Sequence, residues 1–101
     1  MYPMKHTLDS TEAFDLWFSG IDKPIKNRVL SRLARVENGH FGDHKALDAR
    51  LCELRFFFGG GLRVYYTLRH SAVVLLLAGG DKSTQEADIT CARALLDELE
   101  D

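Results

Sequence analysis

This 101-residue sequence has few residues of the types that define specialised protein classes. Its two cysteines, Cys52 and Cys91, are too few for a disulfide-rich secreted scaffold and are not spaced as metal ligands. We predict two free thiols, with a disulfide as the alternative. The chain has only two prolines and no Pro/Ser-rich linker, so we expect a single domain over residues 1–101.

Long apolar runs are also missing. The longest, Ala72–Ala78, is far shorter than the ~20 residues of a membrane-spanning helix, and the N-terminal sequence MYPMKHTLDS contains no apolar signal-peptide core. We therefore expect a cytoplasmic protein that does not enter a membrane. No two histidines lie at i,i+4 on a predicted helix, so we predict no metal and no cofactor.

The charges of the chain are separated along its length. The segment Lys23–Arg69 holds ten basic and four acidic residues, a net charge of +6, whereas the remainder sums to −8. A basic middle favours a polyanionic partner, and an acidic tail that includes Asp97 and Glu98 favours solvent or a basic partner. The alternative for any single charge is a solvated helix face.

Three apolar runs predict the centre of the fold. They are Leu51–Phe58, Leu62–Leu68 and Ala72–Ala78, divided by a Gly59–Gly61 turn and by His70-Ser71. Because all three are rich in β-branched or aromatic residues, we predict a three-stranded antiparallel meander. The third run is apolar at both parities, which is typical of a strand covered on both faces and located inside the sheet.

Alternation gives the first two predicted strands one apolar and one charged face. The charged face carries Glu53 and Arg55 from the first strand, and Arg63, Tyr65 and Arg69 from the second. The apolar face is expected to pack against helices.

Helices are predicted before and after the meander in the sequence. After a short edge strand over Tyr2–Leu8, Asp9 is expected to cap a first helix, and Asp22 followed by Pro24 begins a second that ends at Asn38-Gly39. The segment 39–48 is predicted to be a polar loop. A further capping pattern, Ser83 with Glu86, opens the last helix.

The order of these elements resembles the RelE/ParE superfamily of toxins from type II toxin-antitoxin modules, and more narrowly the HigB-like addiction module killer proteins. The resemblance implies a small RelE-like α+β fold, in which an N-terminal strand and a helical hairpin pack on an antiparallel sheet with a C-terminal helix. The matching stretches are Asn38–Asp43, Glu53–Arg55, Gly61–Tyr66 and Gly79–Gln85.

The same resemblance implies three alternative functions. RelE-like members cleave mRNA on the ribosome and are neutralised by a cognate antitoxin, here expected to be a helix-turn-helix protein. ParE-like members inhibit DNA gyrase instead, and an inactive relative would only bind the antitoxin. We take a ribosome-dependent mRNA endoribonuclease as the leading hypothesis, with mRNA and the ribosome as partners.

Candidate catalytic residues come from the charged face. Arg55 and Arg63 suit bidentate phosphate contacts and stabilisation of transition-state charge. Lys82 opens the last helix and matches a position where RelE-like toxins often carry a basic catalytic residue. Glu53 is the nearest carboxylate for a general base, and its alternative role is a salt bridge to an arginine.

Four further residues are candidate RNA contacts. Tyr65 shares the arginine face and suits stacking on a base, and His44, Lys45 and Arg69 complete the set. The candidates for the general acid are Lys82, an arginine and His44, and the sequence does not decide between them.

Overall fold

Apart from one additional strand over His44–Ala46, the helices and strands follow one another in the order that the sequence predicts. The computed structural model describes residues 5–99, so the predictions for Tyr2, Pro3, Met4, Glu100 and Asp101 lie outside the described residues. The elements are β1 Thr7–Ser10, α1 Glu12–Ser19, α2 Lys23–Glu37, β2 His44–Ala46, β3 Cys52–Arg55, β4 Arg63–Arg69, β5 Val73–Gly80 and α3 Gln85–Leu99, with a 3₁₀ turn at Lys82–Thr84 before α3. The predicted α+β class is confirmed.

One sheet of five strands organises the described chain, in the spatial order β1-β5-β4-β3-β2. Strands β2 to β5 pair antiparallel, and β1 extends the sheet by pairing parallel to β5. Strand β5 therefore lies inside the sheet as predicted, and its residues from Val74 to Gly80 are buried. A strand between two neighbours and two layers of helix is expected to be apolar at both parities.

The N-terminal strand extends two residues beyond the predicted Leu8, which moves the first helix cap. Strand β1 continues to Ser10, so Asp9 lies within the strand and does not cap α1. The cap is Thr11, whose hydroxyl accepts a hydrogen bond from the Phe14 amide at 3.1 Å and donates one to the Leu77 carbonyl at 2.7 Å. Thr11 thus joins α1 to the central strand as well as beginning the helix.

A short edge strand replaces part of the predicted polar loop. Strand β2 pairs with β3, placing His44 opposite Leu54 and Lys45 opposite Glu53. All three β2 residues are exposed, so the segment shows no alternation of apolar and polar residues. Its pairing depends on the neighbouring strand, and the local sequence carries no strand signal.

Helices cover both faces of the sheet. Helices α1 and α2 cover the face that carries Leu54, Val64 and Tyr66, where the first core forms. The opposite face is the charged face of the sequence analysis, and α3 covers much of it. A second core forms there, and its buried members are Leu51, Tyr65, Leu75, Leu77, Ala78, Ala92 and Leu96.

The entrance to α3 is built by Asp81, and the predicted Ser83–Glu86 capping pattern is wrong. The Asp81 carboxylate accepts a hydrogen bond from the Ser83 amide at 2.8 Å, and the Thr84 hydroxyl accepts one from the Asp81 amide at 3.2 Å. Asp81 therefore starts a 3₁₀ turn one residue before Lys82, and α3 follows it.

Glycines at the end of β5 permit close approach from both faces. A Cβ atom on Gly79 would overlap the Trp17 ring of α1. On the other face, a Cβ atom on Gly80 would overlap the Asp88 carboxylate of α3. Helices α1 and α3 can therefore contact the same strand end only because these two positions lack side chains.

Both cysteines are free, as predicted. Across residues 5–99, the helices are too short or too polar to span a bilayer.

Candidate functional site

Basic residues from three segments meet at one end of the sheet. Arg55, the last residue of β3, lies directly opposite Arg63, the first residue of β4. Gly80 at the end of β5 lies opposite Arg63 on its other side, and Lys82 follows two residues later. Because paired residues point to the same face, Arg55 and Arg63 share a face, and the Lys82 backbone lies against the Gly60-Gly61 turn just before Arg63. We call these three residues the arginine site.

A buried carboxylate holds the two arginines. Glu53 is 1% exposed, and its Oε1 lies 3.0 Å from the Arg55 Nε. Its Oε2 lies 3.9 Å from the Arg63 Nε and 3.5 Å from the side-chain nitrogen of Gln85, the first residue of α3. Both carboxylate oxygens thus face donors, which is the salt-bridge alternative that the sequence offered for Glu53.

The two arginines differ in how much of each side chain reaches solvent. The Arg55 side chain is 37% exposed and that of Arg63 is 17% exposed. Arg63 donates from Nη1 to the Gly61 carbonyl at 3.3 Å, and its buried Nε has no hydrogen-bond partner within residues 5–99. A guanidinium has five N–H donors and the Gly61 carbonyl accepts from one nitrogen, so Arg63 retains donors that suit a phosphate oxygen.

Lys82 is exposed on a backbone that the glycine turn fixes. Its amide donates to the Gly60 carbonyl at 3.2 Å, and a Cβ atom on Gly61 would lie 3.3 Å from the Lys82 Cβ. Residues 59–61 all have positive φ, between 61° and 77°. The turn thus supports Lys82 next to the first residue of β4 while leaving its ammonium in solvent.

Tyr65 shares the face of the arginines, yet its ring does not reach solvent. It is 0% exposed in the second core, under α3. Burial, followed by the nearby Glu53 charge, raises the pKa of Tyr65 to about 12. As placed, the ring offers no surface on which a base could stack, so the predicted stacking role conflicts with its burial.

The other three predicted RNA contacts lie in different places. Lys45 is exposed opposite Glu53 and extends the charged face. His44 points to the opposite face, where its ring centroid lies 5.7 Å from that of Phe41. Arg69 ends β4 beside the turn to β5, six residues or about 20 Å from Arg63. Of these three, only Lys45 adjoins the arginine site.

Two residues of the site region were not singled out from the sequence. Gln85 begins α3 and approaches the Glu53 carboxylate, and its only sequence signal is its place in the Gly79–Gln85 stretch. Phe57 lies between β3 and β4 and is 92% exposed. Phe57 belongs to the apolar run Leu51–Phe58, and its place in that run could not show that no helix covers it.

An acidic cavity of about 400 Å³ lies beside Lys82. Its apolar walls include Trp17, and its carboxylates are Asp22, Asp81 and Asp88. Hydrogen bonds from the hydroxyl and amide of Ser83 hold the pKa of Asp81 below its usual range. Negative charge on this side disfavours phosphate, in contrast to the arginine site.

No family model matches the chain. An uncharacterized protein from Haemophilus influenzae is 40% identical over 93 residues, which are 91% of this chain and 94% of the relative. The chain belongs to the same family as this Haemophilus protein.

A solved structure shows the same architecture. A mutant of the Escherichia coli toxin RelE in the free state superposes with a TM-score of 0.74, covering 90% of this chain and 97% of the toxin. The two sequences are 15% identical, so this likeness establishes the RelE-like fold alone. The predicted RelE-like fold is confirmed.

Proposed function

We propose that this protein is the toxin of a type II toxin-antitoxin system and acts as a ribosome-dependent mRNA endoribonuclease. The observation that carries the proposal is the pairing of Arg55 with Arg63 at the sheet end beside Lys82, on a RelE-like fold. Two arginines share one buried carboxylate, and the exposed Lys82 lies at the same sheet end, so positive charge is in excess at a solvent-accessible point. That excess suits a phosphate group of a polynucleotide.

The chemistry requires a 2′-hydroxyl to attack the adjacent phosphorus. A bond forms between the 2′-oxygen and phosphorus as the 2′-hydroxyl proton passes to a water molecule, while the bond to the 5′-oxygen breaks, leaving a 2′,3′-cyclic phosphate and a 5′-hydroxyl. Negative charge grows on the phosphoryl oxygens in the transition state, where fixed guanidinium groups stabilise it most effectively. Arg55 and Arg63 take this role.

The burial or exposure of each candidate residue indicates its role in the proton transfers. Glu53 is buried with both oxygens facing donors, so it acts as a positioning residue that orients the two arginines. Among the residues considered for the general acid, His44 lies on the other face of the sheet. Lys82, exposed at the same sheet end as the arginines, is the proposed donor of a proton to the leaving 5′-oxygen.

A cognate antitoxin, proposed to be a helix-turn-helix protein, neutralises the toxin. Within the superfamily that the chain resembles, the proposal follows the HigB-like group. It places the protein in the cytoplasm, where ribosomes and mRNA are available.

Induced expression tests the proposal. Wild-type protein is expected to arrest bacterial growth and to produce new mRNA ends within reading frames, whereas Arg63→Ala is not. Arg93→Ala is the matched control, because Arg93 is an exposed arginine of α3 paired with Asp48. Growth arrest with intact mRNA would reject the nuclease, and a loss of DNA supercoiling in the same cells would favour gyrase inhibition. No arrest together with capture of the antitoxin would indicate a non-cleaving relative.

A further inference from the structure

A groove lined by arginine and phenylalanine runs along one side of α2. It lies between that helix and the loop 56–62 that joins β3 to β4, with a cavity of about 230 Å³. Its walls include Arg28, Ser31 and Arg35 from α2 and Phe56–Phe58 from the loop. We call it the α2 groove.

Phe57 is held rigidly at the edge of the α2 groove. The loop is closed by hydrogen bonds from the Phe56 amide to the Leu62 carbonyl and from the Leu62 amide to the Phe58 carbonyl, each 3.0 Å long. Although both ends are fixed, Phe57 is 92% exposed. A flat aromatic face is thus presented to solvent without the entropic cost of ordering a flexible loop on binding.

The unbalanced charge in the α2 groove belongs to Arg28 and Arg35. They lie seven residues apart on one side of α2, about 10 Å along its axis. Within residues 5–99, neither has a carboxylate at ion-pair distance. Arg28 stacks on Phe58 with its guanidinium carbon 3.8 Å from the ring centroid. Asp43 is the acid that lines the adjoining cavity next to Arg35 and Phe57.

Arg32, between them, is already used internally. Its guanidinium donates to the carbonyls of Phe41, Arg55 and Asp43 at 2.7–2.9 Å. It joins α2 to the end of β3 and so fixes the α2 groove relative to the arginine site.

The α2 groove lies beyond the end of β3 and the acidic cavity lies at the end of β5, with β4 and its Arg63 between these two strands. Phe57 comes two residues after Arg55, whereas Gly59 and Leu62 of the same loop line the cavity that contains Asp22 and Asp81. A polyanion held at the arginine site is therefore attracted toward α2 and repelled in the other direction.

We infer that the α2 groove binds single-stranded RNA that extends from the arginine site, with a base stacked on Phe57 and phosphates at Arg28 and Arg35. This inference rests on the proposed function for the identity of the nucleic acid. Positive charge along a groove together with an exposed aromatic face is the combination that single-stranded nucleic acids recognise. An acidic peptide would need the arginines but not the flat ring.

The test measures binding of a fluorescent 2′-O-methyl oligouridine, which lacks the hydroxyl needed for cleavage. Phe57→Ala and Phe57→Leu are each expected to weaken binding about tenfold, and Phe57→Trp to retain it. The double variant Arg28→Gln/Arg35→Gln is expected to reduce the salt dependence of log K by about 1.4, for two phosphate contacts. Leu30→Ala and Lys23→Gln, on the other side of α2, are the controls and should bind as wild type does.

Three results would overturn the inference. They are wild-type affinity in Phe57→Leu, an unchanged salt slope in the double variant, and failure of wild-type protein to bind the oligonucleotide. Tight binding of polyglutamate instead, lost in the double variant, would assign the α2 groove to an acidic protein. The failure of this inference can be told apart from the failure of the proposed function. If the Phe57 and Arg28/Arg35 variants cleave mRNA as wild type does, the α2 groove alone is rejected. RNA binding through the groove without mRNA cleavage rejects the nuclease alone.

Discussion

The carboxylate of Glu53 lies 3.0 Å from the Nε of Arg55, two residues further along the same strand and on the same face. This spacing is local in sequence, so the strand itself supplies the counter-charge for one of its own arginines. Strand β4 then brings Arg63 to the second carboxylate oxygen. One buried anion thus determines the orientation of two cations from different strands.

Removing the Glu53 charge is expected to destabilise the fold. Glu53→Gln leaves the partly buried Arg63 without its counter-ion, and we expect the free energy of unfolding to fall by about 1–3 kcal/mol. Urea denaturation measures this loss. Asp97→Asn is the matched control, because the Arg50–Asp97 pair is exposed and should contribute at most about 1 kcal/mol. Equal losses in both variants would contradict the positioning role of Glu53.

Substitution by lysine is expected to affect stability differently at Arg32 and Arg35, two arginines on one helix. The three hydrogen bonds of Arg32 to carbonyl groups require the forked guanidinium, so Arg32→Lys should lower the free energy of unfolding by about 1–3 kcal/mol. Arg35→Lys, at an exposed position on the same helix, should change it by less than about 0.5 kcal/mol. Urea denaturation of the two proteins compares them directly, and a larger effect at Arg35 would be inconsistent with the assigned contacts.

Most of the fold follows from local sequence patterns. The alternation of the three apolar runs predicts β3, β4 and the buried β5, and it also places Arg55 and Arg63 on one face. Strand β2 could not be predicted in this way because its pairing partner, rather than its own exposed residues, determines its conformation. The parallel pairing of β1 is likewise a long-range contact without a local signal.

The candidate site is harder to predict because alternation assigns a face but not what covers that face. Tyr65 has the same parity as Arg63, yet only Tyr65 lies under α3. Conversely, Phe57 belongs to an apolar run and remains exposed. Packing of α3 through Ala92 and Leu96, far along the chain, covers Tyr65. Phe57 lies in the loop beyond the end of β3 and beside α2, where alternation along a strand no longer applies.

Gly79 is expected to tolerate no side chain. Gly79→Ala places a methyl group against the buried side of Trp17, so either α1 or the end of β5 must move. We expect a loss of about 1–3 kcal/mol in the free energy of unfolding and a changed emission maximum of the single tryptophan. Gly20→Ala is the control: its φ is −92° and its added methyl would lie 3.7 Å from the nearest atom, so stability should be unchanged or slightly raised. Unaltered tryptophan emission in Gly79→Ala would contradict the contact.

The stabilisation that the Asp81 carboxylate gives the fold is expected to be lost in acid. The pKa of Asp81 is lower in the folded protein because the hydroxyl and amide of Ser83 bond its carboxylate. The unfolded state therefore binds protons more readily, and this stabilisation is present above the unfolded pKa near 4 and disappears as the pH falls through the lower folded value. Asp81→Asn and Asp81→Ser retain a capping group that does not titrate, so both should flatten the acid limb of stability against pH.

Urea denaturation at a series of acidic pH values measures this slope. Asp48 also has a lowered pKa, caused by the amides of Arg50 and Leu51, and contributes an acid limb of its own. The comparison is therefore best made in an Asp48→Asn background. An acid limb equally steep with and without the Asp81 carboxylate would refute the assignment.

The buried hydroxyl of Tyr65 is expected to be dispensable for stability. It has no hydrogen-bond partner within residues 5–99, so Tyr65→Phe removes an unsatisfied polar group and should leave the free energy of unfolding unchanged or raise it by about 1 kcal/mol. Burial raises the folded pKa to about 12, so wild-type protein loses stability as the pH rises from the unfolded value near 10 toward the folded one. Tyr65→Phe should remove that alkaline loss.

Tyr66→Phe provides the contrast. The Tyr66 hydroxyl interacts with the Cys52 thiol, and burial, more than this contact, raises the pKa of Tyr66. Removing this hydroxyl breaks a contact in the first core, so the free energy of unfolding should fall by about 1 kcal/mol at neutral pH. Urea denaturation at neutral and alkaline pH tests both variants. If Tyr65→Phe proves the more destabilising at neutral pH, the Tyr65 hydroxyl has a partner and the packing of α3 over the charged face is wrong.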